Sequence, residues 1–477
     1  METLQRTANR GSVSTGYDID NSLKIESDNS EYLYRTLGTP TNVDKATFSF
    51  WFKRTEQGRQ WLFTTRQNTS SPYDTFRVFI DSSDKISIQN YQSSYNARIV
   101  TNRVFRDTNA WYHIVASIDT TQSTAGDRIR LYVNGVEETS FSTEDQPPQN
   151  SDLYLESGRI LEIGRFVPDQ GVAGALYECE GYLAEAHFID GQQLAPTEFG
   201  EFDEDSNIWK PKAYSGTYGD NGHYLKFASS GSLGADSSGN SNNFSLNNIT
   251  AADQAPNDSP TNNFCTLNVL IHTDNKPTIS EGAMKVAGGG GNWNNAYGSM
   301  GVQNGKWYYE YKVNNGDIGG TGWSTFPDTS DDATSAQFLY DQSAVIYGGP
   351  TNYYQRINGT QISNESAGWG TTSLNDIIGC FLNADDQEIT FARNGTVLSN
   401  TLSAPVSLNA AFSGHFIFPC NVQYENDGGL YNFGGFTLIT DTKSYNDANG
   451  YGNFVYSPVL SSVNYYALCT KNLAEFG

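Results

Sequence analysis

The chain has 477 residues and a formal net charge of −24, too long for one ordinary core and divided by expectation into about two to four domains. So large an acidic excess repels phosphate backbones and anionic membrane surfaces, which argues against nucleic-acid binding and membrane insertion. The 29 Tyr, 26 Phe and 46 Gly against only 3 Met favour twisted sheets with many turns over helices.

In chain order, residues 1–17 read as a short polar arm that orders on docking. They lack the apolar stretch of a signal peptide, so the expectation is a soluble chain made in the cytoplasm. Residues 18–228 carry period-two or short apolar runs typical of strands, such as Phe48-Ser49-Phe50-Trp51-Phe52, Phe76-Arg77-Val78-Phe79-Ile80 and Tyr112-His113-Ile114-Val115. Ile129 to Val133 ends on Asn134-Gly135, a pair suited to the positive φ angles of a tight hairpin turn. A short helical turn is expected near Ala195 to Phe199, where Pro196 suits a first turn.

Residues 229–262 are rich in Ser, Asn, Gly, Asp and Pro and read as a linker or a long surface loop. Residues 263–477 resume the strand pattern, with Lys306 to Val313, Asp376 to Leu382 and Glu388 to Arg393 the clearest. The last of these again closes on Asn-Gly, at Asn394-Gly395. The run Gly288 to Gly291 lacks the setting of a phosphate cradle and reads as a loop. Cys265-Thr266 and Cys469-Thr470 echo one another and are expected to be strands that close this domain together. The fold class expected is all-β, two antiparallel β-sandwich (jelly-roll) domains joined by a Ser/Asn/Gly-rich linker.

Two resemblances sharpen this. Phe48-Ser49-Phe50-Trp51-Phe52-Lys53, Trp111-Tyr112-His113-Ile114-Val115, Leu131-Tyr132-Val133-Asn134-Gly135 and Gly181-Tyr182-Leu183-Ala184-Glu185, in that order, resemble a laminin G-like, concanavalin A-like domain. Gly305-Lys306-Trp307-Tyr308-Tyr309-Glu310, Asp376-Ile377-Ile378-Gly379-Cys380 and Ile389-Thr390-Phe391-Ala392-Arg393-Asn394-Gly395 resemble a SPRY domain. The combination, with Ala184-Glu185-Ala186-His187-Phe188 and Trp209-Lys210-Pro211-Lys212, resembles virion structural proteins of tailed, marine-type bacteriophages. That resemblance implies a tail fibre, spike or capsid appendage, assembled in the host cytoplasm. Its implied partners are other virion subunits, further copies of itself and host-surface polysaccharide.

Chemistry is sparse. The acidic run Glu201-Phe202-Asp203-Glu204-Asp205 has no apolar flank to raise a pKa, and Glu178 and Glu180 fall in an expected loop, so neither supplies the carboxylate pair of a glycosidase. His113, His187, His223, His272 and His415 accompany no Gly-x-Ser-x-Gly elbow, and the strand histidines read as structural. Five scattered cysteines form no zinc or disulfide pattern, and Cys380 and Cys420, in apolar strand-like runs, read as buried small hydrophobes. No cofactor is expected. The laminin G resemblance leaves calcium open, with Asp74, Asp119 and Asp169 as rim acids, but no ligand set stands out.

Sugar recognition needs exposed aromatic faces on a rigid scaffold. Trp323 among glycines, Tyr353 and Tyr354 after Gly348-Gly349-Pro350, and Trp369 between glycines are the candidate glycan-binding residues. Tyr73, Tyr91 and Tyr95 are secondary candidates in the first domain. The function expected is a non-enzymatic virion protein that binds host carbohydrate. Its alternatives are a glycan-degrading depolymerase and a decoration that binds no glycan.

Overall fold

The computed structural model describes residues 16–67, 74–92, 94–167, 177–272, 277–288, 293–315, 319–325, 343–348, 353–357, 360–365, 374–397, 406–407, 412–424 and 428–477. The chain divides into two compact units that part between Thr261 and Asn262. Both are built from antiparallel sheets, so the all-β expectation holds.

The first unit begins with β1 (Ser22–Ile25), β2 (Tyr32–Thr36), β3 (Lys45–Arg54), β4 (Gln60–Arg66), β5 (Thr75–Ile80) and β6 (Ile86–Gln92). It continues through β7 (Ser94–Thr101), β8 (Tyr112–Asp119), β9 (Ile129–Val133), β10 (Val136–Glu137), β11 (Phe141–Asp145) and β12 (Ile160–Ile163). The later strands are β13 (Arg165–Phe166), β14 (Tyr177–Glu178), β15 (Gly181–Asp190), β16 (Gly200–Phe202), β17 (Trp209–Pro211), β18 (His223–Leu225), β19 (Ser245–Asn247) and β20 (Gln254–Ala255). One sheet runs β10-β9-β8-β3-β15-β1-β20, with β18 also on β15; the other runs β11-β7-β6-β5-β4-β12-β2-β19. Strand residues of alternate parity meet in one core, where Phe48 stacks on Phe76 at 5.3 Å and on Phe188 at 4.7 Å.

The stretch 229–262 is not a linker. It completes the first unit: β19 pairs with β2, β20 pairs with β1, and Leu233, Phe244 and Ile249 enter the core. Two of its acids are buried against lysines of the first strands. Asp253 Oδ1 lies 3.0 Å from Lys24 Nζ, and Asp258 pairs with Lys53, both side chains fully buried. The stretch is polar and largely exposed, but its buried acids Asp253 and Asp258 each have a specific lysine partner. The 1–17 arm also ends inside this unit. The Tyr17 hydroxyl donates to Glu185 Oε2 at 2.9 Å, and the rest of the arm lies almost wholly outside the described residues.

In the second unit one sheet orders Leu267–His272, Trp293–Gly298, Phe418–Tyr424, Gly319–Ser324, Ser343–Gly348, Tyr353–Ile357 and Thr360–Glu365. The other orders Thr278–Ser280, Lys285–Ala287, Gly428–Asn432, Lys306–Asn315, Ile377–Asn383, Glu388–Arg393 and Thr396–Val397. Between the facing strands lie Trp307, Tyr309, Trp323 and Tyr431, all fully buried. Glu310, of opposite parity to Tyr309, is buried on the other side of its sheet, against the Val455–Tyr456 segment. Its carboxylate accepts from the amides of Val455 (2.9 Å) and Tyr456 (2.7 Å), from Asn432 Nδ2 and from the Tyr308 hydroxyl. Burial still pushes its pKa up to about 7.

The closing element differs in part from expectation. Phe264 does bridge Cys469, and Cys265 N–H donates to Leu468 O at 2.9 Å. Beyond Cys469, however, Thr470–Phe476 is a short α-helix rather than a strand. Near Ala195, Pro196–Glu198 forms a 3₁₀ turn. No helix among the described residues is long and apolar enough to cross a membrane.

The two Asn-Gly turns are built alike. Asn134 and Gly135 take φ +50° and +77°, and Asn394 and Gly395 take +49° and +77°. Asn134 Oδ1 accepts from His113 N–H at 2.8 Å, as Asn394 Oδ1 accepts from Ile377 N–H at 2.9 Å. Each turn carries an aromatic ring, Trp209 over Gly135 and Tyr456 over Gly395.

Candidate functional site

Trp323 is fully buried, its ring 5.1 Å from Tyr309, and so offers no face to a ligand. The neighbouring glycines belong to a packed strand, Gly319–Ser324, not to a loop. Tyr353 and Tyr354 lie on Tyr353–Ile357, paired with Ser343–Gly348 and Thr360–Glu365. Trp369 and Tyr73 lie outside the described residues.

The histidines are wired for structure. Trp209 Nε1–H donates to His113 Nδ1 at 3.0 Å, so the ring proton sits on Nε2 and is donated to Ser49 Oγ at 2.9 Å. That direction is the reverse of what a general base needs, so Ser49 is not activated. Complete burial holds the His113 pKa down at about 3, which keeps the ring neutral. His223, also fully buried, is held down at about 3 for the same reason.

Among the described residues no three His, Cys, Asp or Glu side chains converge to hold a metal ion. Asp119 is engaged by Lys45 Nζ at 3.1 Å and by Thr121, Asp74 accepts from Gln67 at 3.1 Å, and Asp169 is outside the described residues. All five cysteines are buried and unbridged, and burial raises the thiol pKa of Cys179, Cys380 and Cys420 and carries that of Cys469 to about 12.

The secondary candidates Tyr91 and Tyr95 are brought together. They face each other across the β6–β7 hairpin with ring centroids 5.0 Å apart, and Tyr95 is 47 % exposed. Their surroundings follow from strand alternation. Phe76 and Val78 point into the core, so Arg77 between them points out. Directly paired residues share a face, so a row crosses the sheet: Asp145, Arg98, Gln89, Arg77, Thr64, Glu162 and Tyr34 on β11, β7, β6, β5, β4, β12 and β2.

Around this row the rings and guanidinium groups interleave. The Arg77 guanidinium sits 5.1 Å from the Tyr91 ring and 4.7 Å from the Phe166 ring. Arg98 lies 4.9 Å from Tyr95, and Arg165 lies 4.3 Å from Tyr32. Trp61 stacks on Phe79 at 4.3 Å and on Phe166 at 4.4 Å. Glu162 is buried beside Arg66, Nε 3.0 Å away, and burial raises its pKa. The arginines escaped notice in the sequence; their signal is a cation at the outward parity of strands whose other parity is apolar.

A second group of acids stands apart. The Glu180 carboxyl accepts from Ser27 Oγ, and burial next to Glu26 and Glu56 pushes its pKa up to about 8.

No curated protein matches the chain. Solved structures similar to it include the SPRY domain of human HERC1, at 14 % identity and TM-score 0.28 over 37 % of this chain and 99 % of that one. The TRIM65 PSpry domain is similar at 14 % identity and TM-score 0.28, over 35 % and 88 %. The native heptameric SAP-like pentraxin from Limulus polyphemus is similar at 17 % identity and TM-score 0.28, over 38 % and 80 %. Residues 27–178, the stretch that contains Tyr91, Tyr95 and all the arginines around them, match the laminin G type of the concanavalin A-like lectin/glucanases superfamily.

Proposed function

We propose that this chain is a non-enzymatic carbohydrate-binding protein of a tailed-phage virion, a fibre, spike or capsid appendage that holds host-surface polysaccharide. The observation that carries the binding role is the Tyr91–Tyr95 pair, Tyr91 half-buried and Tyr95 exposed, on a sheet face within the lectin-like stretch. Rigid phenol rings offer apolar area to sugar faces at little entropic cost, and the surrounding Asn, Gln and Arg groups offer hydrogen bonds. The virion placement rests on the sequence phrases given above. Other virion subunits and further copies of the chain are the partners it implies, with calcium as the one cation to test.

The test is a glycan array probed with the whole chain, alongside adsorption to host cells. Binding lost in Tyr95→Ala supports the reading; failure to bind any saccharide, with retention on particles, leaves a decoration without glycan affinity. Immunogold labelling of particles tests the placement.

One observation favours a second reading, glycan cleavage. Glu180, protonated at neutral pH beside Glu26, has the poise of a general acid. Release of reducing ends from host polysaccharide by the wild-type chain, abolished in Glu180→Gln, would establish that reading instead.

A further inference from the structure

Arg77 is a cation with no acid partner among the described residues. It is half-buried on the outer face of the β5 sheet, and its Nε donates to the Thr75 hydroxyl at 2.6 Å. Among the described residues no carboxylate reaches its two Nη groups. Burial holds its pKa down at about 10, with the neighbouring Arg59 acting in the same direction. Flanking by Tyr91 and Phe166 offsets part of the desolvation and fixes the guanidinium plane, but it supplies no hydrogen-bond acceptor.

Arg98 repeats the situation two strands away. Its Nε is shielded from solvent and has no hydrogen-bond acceptor among the described residues, and its guanidinium rests on the Tyr95 ring. Asp145 is opposite it in register but forms no ion pair with it within 4.0 Å among the described residues. The contrast lies on the same face, where Arg66 is met by Glu162. In a chain with 53 acidic side chains, Arg77 and Arg98, like Arg165 on the Tyr32 ring, form no ion pair within 4.0 Å among the described residues.

We infer that this face binds an acidic saccharide, with a sugar ring against Tyr95 and anionic substituents of successive sugar units on Arg77 and Arg98. The inference rests on the carbohydrate-binding reading above and specifies its ligand. Gln89 lies between the two arginines in register, so they stand about 10 Å apart along the row, the span of a short saccharide rather than one acid group. Guanidinium groups bind planar oxyanions through paired N–H donors, which suits a carboxylate and also a sulfate. The chain's net charge repels polyanions elsewhere, so capture would be confined to this face.

The experiment is affinity electrophoresis of the full chain in gels containing polygalacturonate, dextran sulfate or neutral dextran, at two salt concentrations. The expected result is retardation by a charged polymer, polygalacturonate marking a carboxylate site and dextran sulfate a sulfate site, weakening as salt rises. The pair Arg77→Gln/Arg98→Gln should weaken binding about tenfold or more, a loss of about 1.4 kcal/mol. Arg98→Gln alone and Tyr95→Ala, both at accessible positions, should each weaken it severalfold and decide the matter if Arg77→Gln does not fold. Arg130→Gln, on the other sheet, should change nothing. Equal retardation of wild type and Arg98→Gln overturns the inference. So does binding of neutral sugars on the array with no charged-polymer retardation, which leaves the carbohydrate reading standing. No saccharide binding of any kind overturns both.

Discussion

Lys53 and Asp258, 205 residues apart in sequence, form an ion pair in which both side chains are completely buried. The Lys53 ammonium also lies 4.8 Å from the Tyr182 ring centre, so its site is enclosed on several sides. Removing one member strands the other in a low-dielectric interior. Asp258→Ala should therefore cost about 3–5 kcal/mol in chemical denaturation of the first unit. A fragment spanning residues 14–261 should unfold cooperatively, while one ending at residue 228 should not; equal cooperativity of the two would return 229–262 to the status of a tether.

His223 gives a pH prediction with a definite sign. Its folded pKa, about 3, is below the ordinary histidine value of about 6.5, so between these values the unfolded chain binds more protons. Stability contributed by the neutral ring is present above about pH 6.5 and is lost as pH falls toward 3. Both ring nitrogens are buried with no hydrogen-bond partner among the described residues, between Phe188 and Phe244. His223→Phe should match the wild type within about 1 kcal/mol at pH 7.5 and exceed it by about 2–3 kcal/mol at pH 4.5. Parallel unfolding curves at the two pH values check this; a constant difference would refute it.

The Asn-Gly turns predict a graded glycine series. A Cβ on Gly135 would approach Trp209 to 2.2 Å, and one on Gly395 would approach Tyr456 to 2.3 Å, both at φ +77°. Gly239, at φ +94°, has open space around its would-be Cβ. Gly239→Ala should cost about 1 kcal/mol from backbone strain alone, whereas Gly135→Ala and Gly395→Ala should each cost about 2 kcal/mol or more. Melting temperatures of the three variants give the order directly.

Glu310→Gln keeps shape and changes hydrogen-bond polarity. Four donors aim at the carboxylate, and an amide NH₂ must turn toward at least one of them. A loss of about 3 kcal/mol in the second unit is expected, read by guanidinium unfolding; a neutral effect would mean that the group is already protonated and donating.

Much of the strand plan was readable because its signals are local. Alternation marked Phe48–Phe52 and Phe76–Ile80, and Asn-Gly located both hairpins by turn geometry alone. What was misread depends on distant partners. The acids of 229–262 look like solvated loop residues until Lys24 and Lys53 are placed beside them. Trp323 looked available because glycines flank it, yet those glycines form a buried strand with Tyr309 against the ring. At the candidate site, the sequence offers Tyr91 and Tyr95 only as separate aromatics. Their pairing, and the arginines around them, emerge only from register across β4 to β7.

Each unit ends where it starts. Ile19 N–H donates to Thr261 Oγ1 at 3.1 Å in the first, and Asn263 N–H donates to the Thr470 hydroxyl at 3.0 Å in the second. A module with adjoining entry and exit can be spliced into a surface turn of an unrelated scaffold, or cut open elsewhere and rejoined by a brief peptide, without stretching its sheets. Either half of this chain is thereby a transplantable cassette, and the face around Arg77 can travel with the first.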